Sequence, residues 1–201
     1  MRILKFKEKN LNKAVKKAVI SIKNGDVLVC PTDTVYGLVC DATSRKAVKE
    51  LFRIKKRPKE KPIPIFVKDL KMAKRFAYIN RSQEKFLKKA WPGKVTAVVK
   101  AKPGAKKIFP EGIISPENKV GLRIPRYELV NVLLEELNLP LTGTSANISG
   151  QPPSTKIKEV LDQFRGQRHQ PDLIIDAGNL KKAKPSMVID LTGSKPRILR
   201  K

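Results

Sequence analysis

Strand and helix signals alternate along the chain, and this alternation constrains the fold more than any other feature. Apolar residues recur at helical spacing from Leu11 to Ile22, between Asn10 as a predicted cap and Asn24-Gly25 as a stop. The apolar run from Val27 to Cys30 then predicts a buried strand. Because pairs of this kind recur up to the C-terminus, we predict an α/β domain with a mixed sheet flanked by helices.

The remaining elements follow from the same signals. We predict strands over residues 63–67, 95–99, 120–124, 139–142, 173–176, 187–191 and 198–200, and helices over 80–91, 127–137 and 154–164. A further helix is predicted to begin at residue 43 or 44 and to present residues 47, 48, 51 and 52 on one side. The caps of three helices are predicted at Thr43 or Ser44, at Asn80 with Gln83, and at Ser154 or Thr155. Pro64 makes its strand an edge or irregular segment. Residues 101–118 predict a long loop, and we expect one domain over residues 1–201.

Composition excludes several classes of protein. A chain of 201 residues can bury a sizeable core, but a single His argues against a His-rich metal site or a Ser-His-Asp triad. Two cysteines without a CxxC pair exclude a zinc ribbon and a disulfide scaffold, so Cys30 and Cys40 are predicted to be free and buried. The sequence shows no signal peptide and no apolar stretch of about 18 residues, so we expect a cytoplasmic protein that does not enter the membrane.

The charge is strongly positive and unevenly distributed. The chain carries a formal net charge of +26, and residues 42–110 alone hold 22 Lys and Arg against 4 Asp and Glu. Such a field attracts polyanions such as nucleotides, tRNA or other nucleic acid. A solvated basic surface without a ligand explains the same charge equally well.

Common catalytic and phosphate-binding motifs are missing. The sequence has no P-loop, no GxGxxG after a strand, no GxSxG elbow and no HExxH helix. The remaining candidates are hydroxyls and cations in loops beside strand ends. These groups are suited to stabilising anions rather than to covalent catalysis.

Three segments carry these groups. Residues 31–38 place hydroxyls, a carboxylate and a phenol after a strand, residues 55–62 carry five cations and two prolines at a helix end, and residues 142–150 combine hydroxyls, Asn147 and glycines. Each has a plain alternative: a turn whose Thr and Asp bond local amides, a solvated helix end, and a polar connection without ligand. The functional interpretation is phosphate or triphosphate binding by cations and loop amides.

Taken in order, these segments resemble the YrdC-like family, the threonylcarbamoyl-AMP synthases. The resemblance extends from about residue 10 to the C-terminus. It is carried by residues 31–38, Lys55 with Arg57, Lys61-Pro62, residues 121–125, 145–150 and 186–191, and residues 198–200. Each motif is weak alone, and the whole set in this order is specific.

The resemblance implies a twisted α/β domain with an open, positively lined cavity. It also implies a reaction in which L-threonine, bicarbonate and ATP yield threonylcarbamoyl-AMP and pyrophosphate, with Mg²⁺ carried by ATP and no protein metal site. A downstream threonylcarbamoyl transferase then modifies adenosine 37 of tRNA, and family members are also described as binding tRNA or double-stranded RNA. Because the substrates supply the nucleophile, the protein has only to align anionic partners and stabilise charge.

The family's site residues are carried over by position. The resemblance implies electrostatic catalysis by Lys55 and Arg57, without a covalent nucleophile. It implies threonine contacts for Thr34, Arg123, Gly143 and Ser186, and ATP contacts for Arg57, Lys61, Lys119, Ser145, Asn147, Ser154 and Arg200. For Arg123, a guanidinium in a predicted strand, a bidentate contact with the threonine carboxylate competes with an ion pair to a protein carboxylate.

The chain also departs from the family pattern. Phe66 stands where some relatives have His, Met187 replaces the usual Thr, and Pro153 stands where relatives often have Ser, with Ser154 beside it as a substitute. The extra C-terminal domain of longer members is not expected. Two alternatives remain open: a non-catalytic double-stranded RNA or tRNA-binding module, and the carbamoyl-adenylate chemistry of hydrogenase maturation proteins, for whose additional domains the chain has neither room nor cysteines.

Overall fold

The computed structural model describes all 201 residues and contains seven α-helices, one 3₁₀ turn (Glu8–Asn10) and eleven strands. The helices are α1 (Leu11–Lys23), α2 (Arg45–Lys55), α3 (Leu70–Phe76), α4 (Arg81–Ala90), α5 (Ala105–Ile108), α6 (Glu128–Leu137) and α7 (Ile157–Phe164). The strands are β1 (Arg2–Lys5), β2 (Leu28–Cys30), β3 (Gly37–Val39), β4 (Ile65–Phe66), β5 (Val95–Lys100), β6 (Lys119–Arg123), β7 (Leu141–Thr142), β8 (Thr144–Ser145), β9 (Leu173–Asp176), β10 (Met187–Asp190) and β11 (Arg197–Arg200). The predicted mixed α/β architecture is confirmed.

The strands divide between two sheets, where the sequence predicted one. The first has the order β1-β9-β2-β3-β8, with parallel pairing among β1, β9 and β2 and antiparallel pairing after β2. The second has the order β11-β10-β5-β6-β4-β7 and is also mixed, with β10 parallel to β5 and β4 parallel to β6. Sequence patterns predict strands but not which of them pair, so this division could not be foreseen.

Two buried clusters cover opposite faces of the first sheet. Along β2, Leu28 and Cys30 belong to a cluster of 16 buried residues that includes the apolar faces of α1 and α6, whereas Val29 belongs to a second cluster of 35 residues. The same alternation occurs in β9, where Ile174 faces the larger cluster. Because side chains of a strand alternate between its faces, the strand is buried on both sides. Cys30 and Cys40 are free and buried, as predicted.

The cap signals are confirmed at two helices and wrong at two others. Neither Ser154 nor Thr155 caps α7, whose cap position is Lys156, without a side-chain cap bond. The Ser44 hydroxyl accepts from the amide of Ala47, and Asn80 and Gln83 form the predicted capping box at α4. The side chain of Asn10 does not cap α1. It accepts instead from the amide of Lys7 and donates to the carbonyl of Lys5, and so closes the preceding turn.

Several short elements were not predicted. The edge strand β1 is mostly exposed and lacks an apolar run, and it exists because it pairs with β9, far away in sequence. Helix α3 is capped by Asp69, whose carboxylate accepts from the amide of Met72 at 2.6 Å. Strands β3 and β8 and the single helical turn of α5 were also missed, the last within the predicted loop 101–118. None of the helices combines the length and the apolar character needed to span a bilayer.

Candidate active site

A cavity of about 450 Å³ is lined by strands of both sheets. The first sheet contributes residues of β3 and β8, and the second contributes residues of β4, β5, β6, β10 and β11. Strand pairing brings the sequence motifs together here, because Gly37 pairs with Ser145 and Phe66 pairs with Arg123. The cationic lining residues are Arg57, Lys119, Arg123, Arg197 and Arg200, and the acidic ones are Glu60, Glu117 and Asp190.

The structure brings eight of the predicted site residues to this cavity and leaves four outside its lining. The eight are Thr34, Arg57, Lys119, Arg123, Gly143, Ser145, Ser186 and Arg200. The four are Lys55, Lys61, Asn147 and Ser154. The three segments singled out in the sequence therefore converge at the cavity. Individual side chains within them nevertheless have different surroundings.

The turn after β2 is held by hydroxyls. The Thr32 hydroxyl donates to the carbonyl of Val35 at 2.7 Å and accepts from the amide of Thr34 at 3.1 Å. The hydroxyls of Thr32 and Thr34 are 3.1 Å apart. The phenol of Tyr36 donates to Gly178 and is buried. The threonines thus follow the local-bonding alternative, while both also line the cavity.

Arg123 is a buried cation whose partner is a protein carboxylate. Its Nη2 donates to Oδ1 of Asp33 at 2.6 Å, its Nε donates to the carbonyl of Gly93 at 2.9 Å, and its Nη1 lies 3.4 Å from the Thr34 hydroxyl. Burial lowers the pKa of Arg123, and the charge of Asp33 opposes that shift. The alternative of a structural ion pair is therefore realised. Since Nε and one N–H of Nη2 are occupied, the Nε side of the guanidinium is not free for a bidentate contact with a substrate.

Arg57 and Arg200 are two like charges at the cavity that act on one another. Arg57 donates from Nε to the carbonyl of Lys61 at 2.7 Å and from Nη2 to the carbonyl of Pro62 at 3.3 Å. Burial, and then the charge of Arg200, lower the pKa of Arg57. Neither guanidinium has a carboxylate partner within salt-bridge distance, so an anion bound here would relieve their repulsion.

Arg200 also joins the C-terminal strand to the segment before β10. Its Nε and Nη2 donate to the carbonyl of Ser186 at 3.0 and 2.7 Å. The Ser186 hydroxyl shares a 3.0 Å hydrogen bond with that of Thr96 on β5. Thr96 therefore holds Ser186, a residue predicted to contact the substrate threonine. Thr96 was not singled out in the sequence.

Lys119 is paired within the cavity wall. Its ammonium lies 3.0 Å from a carboxylate oxygen of Asp190. Burial raises the pKa of Asp190, but hydrogen bonds from Thr192 and Lys119 outweigh it and hold that pKa below its ordinary value. Arg197 adds a more distant charge at 3.8 Å from the same carboxylate. A nucleotide contact through the Lys119 backbone, as the resemblance allows, leaves this ion pair intact.

Lys55 lies outside the cavity, and its ammonium supports the loop after β8. It is buried and donates to the carbonyls of Ser145 and Asn147 at 2.6 and 2.9 Å and to the Asn147 side chain at 3.2 Å. Burial, and then the charge of Arg57, lower its pKa to about 7. The three donors of the ammonium are thus directed to the protein, and the structure gives Lys55 a supporting position instead of direct contact with a ligand.

The loop residues Asn147 and Ser154 are also engaged within the protein. The Asn147 amide donates to Gln151 at 2.7 Å, and its Oδ1 accepts from the Ser145 hydroxyl at 2.6 Å. The Ser154 hydroxyl donates to Glu159 at 2.5 Å, so it stabilises the start of α7. Of the three residues Ser145, Asn147 and Ser154, Ser145 lines the cavity.

Phe66 of β4 packs against Gly143, which lies between β7 and β8. A Cβ added to Gly143 would stand 2.6 Å from the Phe66 ring, so the ring packs against bare backbone. The Arg123 guanidinium lies over the same ring, 5.7 Å from its centre. The departure at Phe66 therefore shapes the cavity wall by packing. Met187 is the first residue of β10 and pairs with Val95 of β5.

Further polar residues that were not predicted as site residues lie at or beside the cavity, among them Asp33, Thr96, Asp190 and Arg197. Asp33 and Asp190 lie inside motifs that the sequence analysis quoted. Thr96 is a lone hydroxyl within an apolar strand, which is itself a signal that it meets a partner. Arg197 carries no signal beyond its charge.

Known proteins with the same sequence pattern and fold support a family assignment. A family model named Sua5_yciO_yrdC and described as "Telomere recombination" matches residues 21–201. A putative threonylcarbamoyl-AMP synthase of Methanocaldococcus jannaschii is 34% identical over 97% of this chain and 88% of its own length. A threonylcarbamoyl-AMP synthase of Klebsiella pneumoniae is 33% identical over 90% of this chain and 94% of its own length.

A solved structure extends the likeness to three dimensions. The crystal structure of Sua5 from Pyrococcus abyssi complexed with L-threonine superposes with a TM-score of 0.86 at 31% identity, over 99% of this chain. The chain spans 56% of that longer protein. Sequence model, full-length relatives and fold agree, and the protein belongs to the Sua5/YciO/YrdC family.

Proposed function

We propose that the protein is an L-threonylcarbamoyladenylate synthase, a nucleotidyltransferase that makes threonylcarbamoyl-AMP and pyrophosphate for the modification of tRNA. The observation that carries this proposal is the convergence of the sequence motifs on one cavity with an unneutralised pair, Arg57 and Arg200, and a separately fixed guanidinium, Arg123. ATP and L-threonine are the substrates that this arrangement of cations suits, since both are anionic at the groups to be held.

The reaction needs no nucleophile from the protein. The amine of threonine and bicarbonate form a carbamate with loss of water, a carbamate oxygen attacks the α-phosphorus of ATP, and the bond to the β-phosphate breaks to release pyrophosphate. The protein has to align the carbamate with the α-phosphate and offset charge on the phosphate oxygens. Bicarbonate as the source of the carbonyl group is part of the proposal.

The roles follow the position of each residue. Thr34, Arg123, Gly143 and Ser186 would contact threonine, and Arg57, Lys119, Ser145 and Arg200 would contact ATP from the cavity wall. Lys61 would reach the phosphates from beside Arg57, because its carbonyl already accepts from that guanidinium. Lys55, Asn147 and Ser154 would act through the backbone that they hold, and the electrostatic role proposed for Lys55 would be exerted without contact.

Mg²⁺ is proposed to enter with ATP. The chain offers no group of three or more His, Cys, Asp or Glu side chains placed to hold a metal ion. Magnesium binds proteins through few ligands when substrate phosphates supply the others, so a complex with the triphosphate needs no such cluster.

The product has to be consumed by a second enzyme. An acyl-adenylate is a reactive mixed anhydride, so we expect a threonylcarbamoyl transferase in the same compartment, for which we propose the cytoplasm. The net charge of +26 suits transient contact with tRNA. The alternative, a tRNA or double-stranded RNA-binding module without catalysis, makes the same use of this charge but gives no reason for the paired guanidinium groups of the cavity.

The deciding experiment measures pyrophosphate release from ATP and magnesium with and without threonine and bicarbonate. We expect release only when both are present, and threonylcarbamoyl-AMP by mass spectrometry. Release that does not depend on threonine would exclude the proposed substrate. No release under any condition, together with salt-sensitive tRNA binding, would support the RNA-binding alternative.

A further inference from the structure

Asp33 makes a single hydrogen bond within the protein, and that bond is to Arg123. Its Oδ1 accepts from Nη2 at 2.6 Å, while its Oδ2 is buried without a partner. Both side chains are almost inaccessible, with exposed fractions of 9% for Asp33 and 5% for Arg123. Asp33 is not part of the cavity lining, although its neighbours Thr32 and Thr34 are.

Other aspartates that begin turns in this chain behave differently. Each of four accepts a hydrogen bond from a backbone amide two or three residues further on: Asp41, Asp69, Asp176 and Asp190. Such local bonds stabilise the turn in which an aspartate lies. Asp33 accepts none, so stabilising its own turn does not explain why a carboxylate stands there.

The guanidinium of Arg123 explains it better. Of its five N–H groups, one on Nε donates to Gly93, one on Nη2 donates to Asp33, and one on Nη1 lies 3.4 Å from the Thr34 hydroxyl. One N–H on each terminal nitrogen therefore has no protein partner, and Arg123 lines the cavity. Asp33 and Gly93 provide the two short contacts that fix its orientation.

Asp33 also supplies the charge that makes burial of Arg123 tolerable. A buried guanidinium without a counter-charge is strongly unfavourable, and the side chain moves toward water when it can. Without Asp33, one short hydrogen bond to Gly93 and the packing against Phe66 would remain. These two contacts do not prevent rotation of the guanidinium plane, whereas the two hydrogen bonds to Gly93 and Asp33 together do.

We propose that Asp33 is a positioning residue, which fixes Arg123 so that its two unpartnered N–H groups meet the carboxylate of threonine. This inference rests on the proposed function and names the residue that prepares the threonine side of the site. It predicts that Asp33 matters for threonine and not for ATP, although Asp33 touches neither.

The test compares Michaelis constants for the two substrates in pyrophosphate release. We expect Asp33→Ala to raise the KM for threonine by about 10- to 100-fold and to leave the KM for ATP within about twofold of wild type. Asp33→Asn keeps an acceptor at Oδ1 but loses the charge, so its threonine KM should lie between those of wild type and Asp33→Ala. In the Arg123→Lys background, Asp33→Ala should raise the threonine KM little further, because the residue acts through Arg123.

The control is Asp41→Ala, which removes an aspartate that bonds its own turn at Thr43 and is not part of the cavity lining. Its threonine KM should match wild type. If Asp33→Ala does not fold by circular dichroism, Asp33→Ser, whose side chain is too short to reach Arg123, carries the same expectations. An unchanged threonine KM, a parallel rise for ATP, or a full effect in the Arg123→Lys background would overturn the inference. Failure of the proposed function would appear earlier, as wild-type protein that releases no pyrophosphate with threonine.

Discussion

Lys55 and Asn147 lie 92 residues apart in sequence, and the Lys55 ammonium donates to both the carbonyl and the side-chain oxygen of Asn147. The backbone makes a further contact, since the amide of Ser149 donates to the carbonyl of Lys55 at 2.8 Å. The end of α2 and the loop after β8 are therefore held together at three points. A buried lysine side chain thus joins two of the segments that carry the family resemblance.

This arrangement predicts a pH dependence of stability that is specific to Lys55. Its pKa is lowered from 10.5 to about 7 by burial and by Arg57. Between these values the unfolded chain binds more protons at this position than the folded chain, so the Lys55 contribution to the free energy of unfolding rises with pH. We expect the stability advantage of wild type over Lys55→Met in urea denaturation to grow from pH 7 to pH 9. A gap that stays constant over this range would show that its acceptors, the carbonyls of Ser145 and Asn147 and the Asn147 side chain, keep the ammonium charged in the folded protein.

The guanidinium pair predicts a second result, on ATP. Arg57→Ala should weaken ATP binding by roughly 10- to 150-fold, because a charge-assisted hydrogen bond contributes roughly 1.5–3 kcal/mol. Lys61→Ala should act in the same direction, since its flexible side chain extends from the backbone that accepts from Arg57. Calorimetry with ATP and magnesium measures both.

Lys59 provides the control for this series. It lies two residues away from both Arg57 and Lys61, and its ammonium pairs with Glu111 at 2.6 Å on the surface. Lys59→Ala should therefore leave ATP binding within about twofold of wild type. Equal and small effects at the three positions would instead indicate that this helix end is a solvated basic surface.

The sequence predicts local structure where the signal is local. The caps at Ser44 and Asn80 lie three residues from the amides that they bond, and helical spacing of apolar residues gave α1, α2 and α6 within one or two residues. Edge strands such as β1 could not be found in this way, because their stability comes from pairing with residues far along the chain.

The candidate site shows the same division. The motifs identified the segments that converge, but the ion pair of Asp33 with Arg123 joins residues 90 positions apart and has no local signature. The burial of Lys55 could have been foreseen, because it follows Val48, Leu51 and Phe52 on the apolar face of α2. The run of charges from Lys55 to Lys61 concealed that spacing.

Packing at the cavity wall predicts a third result. A Cβ at Gly143 would stand 2.6 Å from the Phe66 ring, so Gly143→Ala should cost about 1–3 kcal/mol in the free energy of unfolding. The double variant with Phe66→Leu should lose less than the two single variants together, because the smaller side chain gives way. Gly104→Ala, whose Cβ would meet nothing within 4 Å, should stay within about 0.5 kcal/mol of wild type. Additive losses in the double variant would show that the two residues are not coupled.

The last prediction concerns recognition of threonine by Arg123. Lys at this position keeps the positive charge but cannot reproduce a planar guanidinium that bonds Gly93 and Asp33 and still has two N–H groups without a protein partner. Arg123→Lys should therefore impair threonine binding by about 10-fold or more while it spares ATP binding. Calorimetry with each substrate separates the two effects, and thermal unfolding shows whether the variant is folded. A folded Arg123→Lys protein with unchanged threonine affinity would mean that the ion pair with Asp33 is the whole role of Arg123.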